Sequence, residues 1–156
     1  MGKKSAGILL YRKKNNKTEI MLVHPGGPFW AKKDVGVWSI PKGEYNDDEE
    51  PLAAAKREFK EEVGSKVLAK NFIELTPVKS KSNKTVIAFI AEEDFDTTSV
   101  KSNLILIDWP PKTGKKIEVP EVDKAEWFDT ETAKEKILSY QLPLIDELVK
   151  IVKSLK

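Results

Sequence analysis

The chain has 156 residues, 40% of them hydrophobic, enough to bury one core and too few for two, so a single domain over residues 1–156 is expected. Its 27 basic and 25 acidic residues leave a formal net charge of +2, which argues against a stable nucleic-acid partner or a charge-driven membrane one. Cysteine is absent, which removes disulfides, thiolate metal sites and a cysteine nucleophile.

At the N-terminus, "MGKKSAGILLYRKK" has an apolar run only over residues 6–11, too short for a secretion signal or a membrane span. Met1-Gly2 followed by Ser5 misses the myristoylation pattern by one place. A cytoplasmic protein without a membrane partner is the expectation. Residues 7–11 and 19–24 are apolar and rich in β-branched types, and the "KKNNK" between them predicts a hairpin turn. After the loop "HPGGP", residues 37–40 predict a short strand that Pro41 stops.

Pro51 suits the first turn of a helix, and the acids before it complement its positive N-terminal end. Leu52, Ala55, Phe59 and Val63 then recur at helical spacing, and Gly64 closes the helix. On this pattern the apolar stripe faces the core while Glu58, Glu61 and Glu62 share another face. Downstream, "FIELTPV" and "TVIAFIAEE" predict a strand pair across "KSKSNK". "NLILIDW" predicts another strand before a loop with Pro110, Pro111 and Gly114. "AEWFD" predicts a short strand, Asp129 or Thr130 a helix cap, and residues 142–156 an amphipathic terminal helix with Leu144, Leu148 and Val152 in step. Together these predict an α+β fold with helices packed over a mixed sheet.

The densest chemistry lies in "GEYNDDEEPLAAAKREFKEEVG", residues 43–64. Like charges one helical turn apart repel, so Glu58, Glu61 and Glu62 either form a solvated face or hold a cation. Three carboxylates in one turn are a hard-oxygen donor set, the type that Mg²⁺ and Mn²⁺ prefer. Arg57 can hold a carboxylate by a bidentate pair, and the glycine of "PKG" allows backbone to come close beside the helix. A plain surface helix leaves the glycines on either side and the Arg-Glu placement unexplained.

The segment resembles the Nudix box, G-x5-E-x7-R-E-U-x-E-E-x-G-U, over residues 43–65. Gly43, Glu49, Arg57, Glu58, Glu61, Glu62 and Gly64 match, Phe59 fills the first bulky position, and Ser65 departs from the last. The departure bears on packing after the helix. "SAGILLYR", "WSIPKG" and "AEWF" extend the likeness over most of the chain. The resemblance implies a Nudix α/β/α sandwich, a mixed sheet between helices. It also implies hydrolysis of a nucleoside diphosphate linked to another moiety X, such as a nucleoside triphosphate, ADP-ribose or a dinucleoside polyphosphate. It further implies Mg²⁺ or Mn²⁺ held by Glu58 and Glu62, with Glu61 and the Gly43 carbonyl, and Glu49 and Arg57 orienting the ligands. The general base is a box glutamate or one from a later loop, for which Glu118 and Glu121 are the candidates.

For substrate, Phe29 and Trp30 can stack a base, Lys32, Lys33 and Lys42 can meet phosphate, and Trp109 can add an aromatic wall. His24, the only histidine, reads as a satisfied strand-end residue rather than a catalyst. The partner expected is a small nucleotide, with the protein a monomer or homodimer. A noncatalytic Nudix-fold module that binds nucleotide or RNA is the alternative, and the retention of every box glutamate weighs against it.

Overall fold

The structure is a computed structural model and describes residues 3–155; Met1-Gly2 and Lys156 lie outside them. Its organising strand is β1 (Lys4–Lys14), in which residues 5–11 are all buried. Ala6, Ile8 and Leu10 enter one core and Leu9 and Tyr11 the other, so a strand covered on both faces reads as an unbroken apolar run. β2 (Lys17–Pro25) returns antiparallel after a turn in which Asn15 and Asn16 take φ of 53° and 64°, a conformation asparagine tolerates. Outside these come β6 (Thr85–Glu92), parallel to β1, and β9 (Val122–Asp129), antiparallel to β2.

The sheet is mixed, with order β4 (Ile73–Glu74), β6, β1, β2, β9, and helices cover both faces. α1 (Pro51–Val63) packs Ala54, Ala55, Phe59 and Val63 on one face. α2 (Thr130–Lys136) and α3 (Leu142–Ser154) bring Ala133, Leu144, Leu148 and Val152 to the other. This is the α/β/α sandwich. Asp129 settles the cap of α2, its side chain accepting from the Thr132 N–H at 2.7 Å.

Several elements differ from expectation for identifiable reasons. Residues 37–40 form no strand: Val23 and Ser39 exchange bonds of 2.9 and 3.0 Å, then the chain crosses to β1 and becomes β3 (Lys42–Glu44). Pro41 marks the change of partner, having no N–H for a ladder. "FIELTPV" is split into β4 (Ile73–Glu74) and β5 (Val78–Lys79), both antiparallel to β6, with Pro77 in the gap. β7 (Leu104–Asp108) pairs with an unanticipated β8 (Lys116–Pro120) as a separate two-stranded sheet. "AEWFD" is the end of the longer β9, whose start is masked in the sequence by the exposed Asp123 and Lys124.

Gly64 ends α1 with φ of 88°, and its N–H donates to the Lys60 carbonyl at 2.8 Å. A Cβ there would lie 2.5 Å from the Lys101 carbonyl oxygen. Gly64→Ala is expected to cost about 1–2 kcal/mol, read as a lower urea midpoint at unchanged slope. Ser65 is exposed, and Val67, two residues on, supplies the apolar contact to the α1-side core.

Candidate active site

β1 holds β3 along residues 5–7 and β2 along residues 11–14. The segment 38–44 is thereby threaded between the two strands, which carries Gly43 under α1. An ideal Cβ on Gly43 would sit 1.9 Å from Glu58 Oε1, so the Glu58 carboxylate occupies the space that any other residue would fill. One turn on, Glu62 accepts from the backbone N–H of Lys42 at 3.3 Å. Glu58 and Glu62 are 8% and 5% exposed. They therefore lie on the buried flank of α1, whereas Glu61 is exposed, which corrects the expectation that all three share one face.

Arg57 orders the group. Its Nε and Nη2 each donate to Glu49 at 2.9 Å, a bidentate pair, and its Nη1 donates to Glu58 Oε2 at 2.5 Å. Glu61 lies 3.5 Å from the same Nη1, a weaker contact at the outer edge. Glu49 is thus engaged with Arg57 and does not cap the helix, and the N-cap Glu50 makes no side-chain cap bond.

Charge and burial are in tension here. Burial, reinforced by the charge of Glu121, pushes Glu62 up to about 9. Burial also raises Glu58, with Arg57 opposing, while Arg57 draws Glu49 below its ordinary value. A desolvated carboxylate with so little cationic neutralisation favours a proton or a metal ion. Among the described residues no three His, Asp or Glu side chains already meet as a metal cluster. The fold assembles the Glu58–Glu62 pair against the Gly43 backbone, and that hard-oxygen set fits a divalent cation.

Beside Glu62 opens a cavity of about 590 Å³. Its lining includes Glu62, Lys42 and Glu121, the aromatic Phe29 and Trp30, and Ile105, Ile107 and Trp109 of the β7–β8 hairpin. Among the described residues, Lys42 is the one basic residue of its lining. Lys32 is exposed and outside the lining, and the Lys33 ammonium stands 4.4 Å from the Phe29 ring centre instead. Of the two candidate bases, Glu121 lines the cavity, whereas Glu118 is exposed on β8 and does not. The isoleucine wall was missed from sequence. Its signal was the alternation in "LILID" followed by a turn and "IEV".

Residues 1–148 match the NUDIX domain. The chain belongs to the Nudix hydrolase family. Members act on diphosphate anhydrides and generally use divalent metal ions. Solved structures share the fold. A C. elegans Ap4A hydrolase aligns with a TM-score of 0.68 at 22% identity, covering 97% of this chain and 98% of that one. The NUDIX domain of Shewanella oneidensis NrtR, complexed with ADP ribose, aligns at 0.66 and 13% identity, covering 97% and 89%. A mutT/nudix family protein from Listeria innocua aligns at 0.62 and 15% identity, covering 97% and 94%. Within this Nudix fold, no helix among the described residues is long and apolar enough to cross a membrane.

Proposed function

We propose that this Nudix hydrolase is a metal-dependent pyrophosphohydrolase of nucleotide-type diphosphates, cleaving a nucleoside diphosphate linked to a further group X. The observation that carries the reading is the opening of an aromatic-walled cavity onto the buried Glu62, one helical turn from the buried Glu58. Glu58 and Glu62, with the Gly43 carbonyl and Glu61 at the edge, would hold Mg²⁺ or Mn²⁺, which would supply neutralisation of the diphosphate and acidification of water. Arg57, fixed by Glu49, holds the Glu58 carboxylate in direction. Glu121 takes the proton as water oxygen bonds to phosphorus and the bridging anhydride oxygen departs with its electron pair.

Trp30, Phe29 and Trp109 receive the base, and Lys42 meets a phosphate oxygen. A lining with one lysine suits a base and a short phosphate chain better than a polyphosphorylated inositol. Two structural neighbours, an Ap4A hydrolase and a NUDIX domain complexed with ADP ribose, support the nucleotide class. The test is incubation with Mg²⁺ or Mn²⁺ and a panel of nucleoside triphosphates, ADP-ribose and diadenosine polyphosphates, resolving products chromatographically. Cleavage confined to one class identifies the substrate; silence across the panel with intact metal binding removes the nucleotide reading. Trp30→Ala is expected to raise KM several-fold with a smaller change in kcat, and an unchanged KM takes Trp30 out of the binding wall.

A further inference from the structure

His24 lies at the end of β2, 2% exposed, and is not among the residues lining the cavity. Its Nδ1 is 2.9 Å from Asp123 Oδ1 on β9, and its Nε2 is 2.6 Å from the Lys33 carbonyl oxygen. A carbonyl accepts and never donates, and so does an ionised carboxylate. A neutral imidazole has one N–H. It can satisfy one of these partners and sets a lone pair against the other, whereas the doubly protonated ring donates to both.

The Lys33 carbonyl belongs to the loop that carries the aromatic wall. Within it the Trp30 N–H donates to the Gly27 carbonyl at 3.3 Å and the Lys33 N–H to the Trp30 carbonyl at 2.9 Å. Phe29 and Trp30 pack edge to face at 4.7 Å, with the Lys33 ammonium over Phe29. Residues 27–33 are thereby tied to one another, so a bond to the Lys33 carbonyl bears on where Trp30 stands. The loop ends are tied independently of His24: the Gly26 N–H donates to the Glu121 carbonyl at 3.0 Å, and Asp34 accepts from the Trp38 indole at 2.8 Å and from Lys136. His24 holds the stretch between.

We propose that His24 is a positioning residue whose doubly protonated form clamps the aromatic loop against the sheet, and that loss of one ring proton loosens the loop and weakens nucleotide binding. The functional half rests on the cavity being the nucleotide site. The charged groups around the ring are Asp123 and Lys124 from β9, Lys33 and Asp34 from the loop, and Lys136 of α2 bound to Asp34. Asp123 touches the ring directly, while Lys124 lies over Trp38, which packs edge-on to the imidazole at 5.0 Å. Imidazole is the side chain that can exchange a single N–H for a doubly protonated ring within an accessible pH range, so pH is the variable that tests the clamp.

Because the chain has one histidine, its ring resonances are unambiguous. In ligand-free protein, long-range proton–nitrogen correlation from pH 5 to 9 is expected to show both ring nitrogens protonated at the acid end. Deprotonation should coincide with shifts of the Asp34 amide and the Trp30 indole. A ring that titrates without moving those two signals overturns the clamp, whatever the substrate. With the nucleotide cleaved in the panel, KM is expected to rise several-fold over the same interval. Asp123→Asn, at a side chain one-third exposed, should move both transitions to lower pH, and His24→Gln should hold KM at its high-pH level throughout. A KM profile identical in wild type and Asp123→Asn overturns the link to binding. If no panel member is cleaved, the resonance experiment still decides the clamp, so failure of the functional reading and failure of the clamp stay distinct.

Discussion

Glu62→Gln is expected to lower kcat/KM roughly 10²–10⁴-fold, since loss of a charged ligand removes several kcal/mol of stabilisation from a site that neutralises phosphate, at about 1.4 kcal/mol per tenfold. The same change should raise the thermal midpoint of the cation-free protein. Glu62 is 5% exposed and its carboxyl is pushed from its ordinary 4.5 up to about 9, so between those values the folded chain binds a proton that the unfolded chain does not. Stability then falls as pH rises through that window. In EDTA the wild-type midpoint should be lower at pH 8 than at pH 5.5, and Mg²⁺ or Mn²⁺ should restore it. Glu62→Gln should flatten both responses. Calorimetry with and without cation reads all three, and a variant that keeps wild-type turnover and cation response refutes the placement of the metal at Glu62.

Gly43→Ala is expected to cost about 10²-fold in kcat/KM, the scale associated with an ångström of misplacement at a reacting centre. Gly43 is paired in β3 opposite Ala6 and is not among the positive-φ glycines, so an alanine strains nothing in the backbone itself. The cost is the contact of its Cβ with the Glu58 carboxylate, at 1.9 Å in the present geometry. Glu58 must turn away or β3 must withdraw from the helix. The two effects separate in a double-mutant cycle: with Glu58→Gln already present, adding Gly43→Ala should cost far less than it does alone. Full additivity, measured on kcat/KM, shows that Gly43 acts elsewhere than through Glu58.

Much of the fold was legible because β1, β2, β6 and α3 carry strong local patterns: unbroken or alternating apolar runs and a helical stripe. β8 and the start of β9 were not, because their strand character depends on pairing with β7 and β2 while their exposed charges imitate a loop. For the same reason residues 37–40 imitated a strand. Trp38 and Ile40 are buried and Val37 partly so, but their backbone exchanges partners at Pro41.

At the candidate site the spacing from Gly43 to Gly64 determined, with no tertiary information, that Arg57 and the three glutamates share neighbouring turns of one helix. It also placed a glycine close before that helix and another at its end. Those are consequences of covalent distance and helical pitch. Which glutamates are buried was decided by the tertiary structure. α1 packs on the sheet through Ala55 and Phe59, and that contact turns Glu58 and Glu62 inward and leaves Glu61 outside. The choice of Glu121 over Glu118, of Lys42 over Lys32, and the meeting of Trp30 with Trp109 were likewise tertiary. They join segments roughly 80 residues apart in the chain, and only the long-range pairing of strands brings such segments to one cavity, since no periodicity within a segment encodes its distance from another.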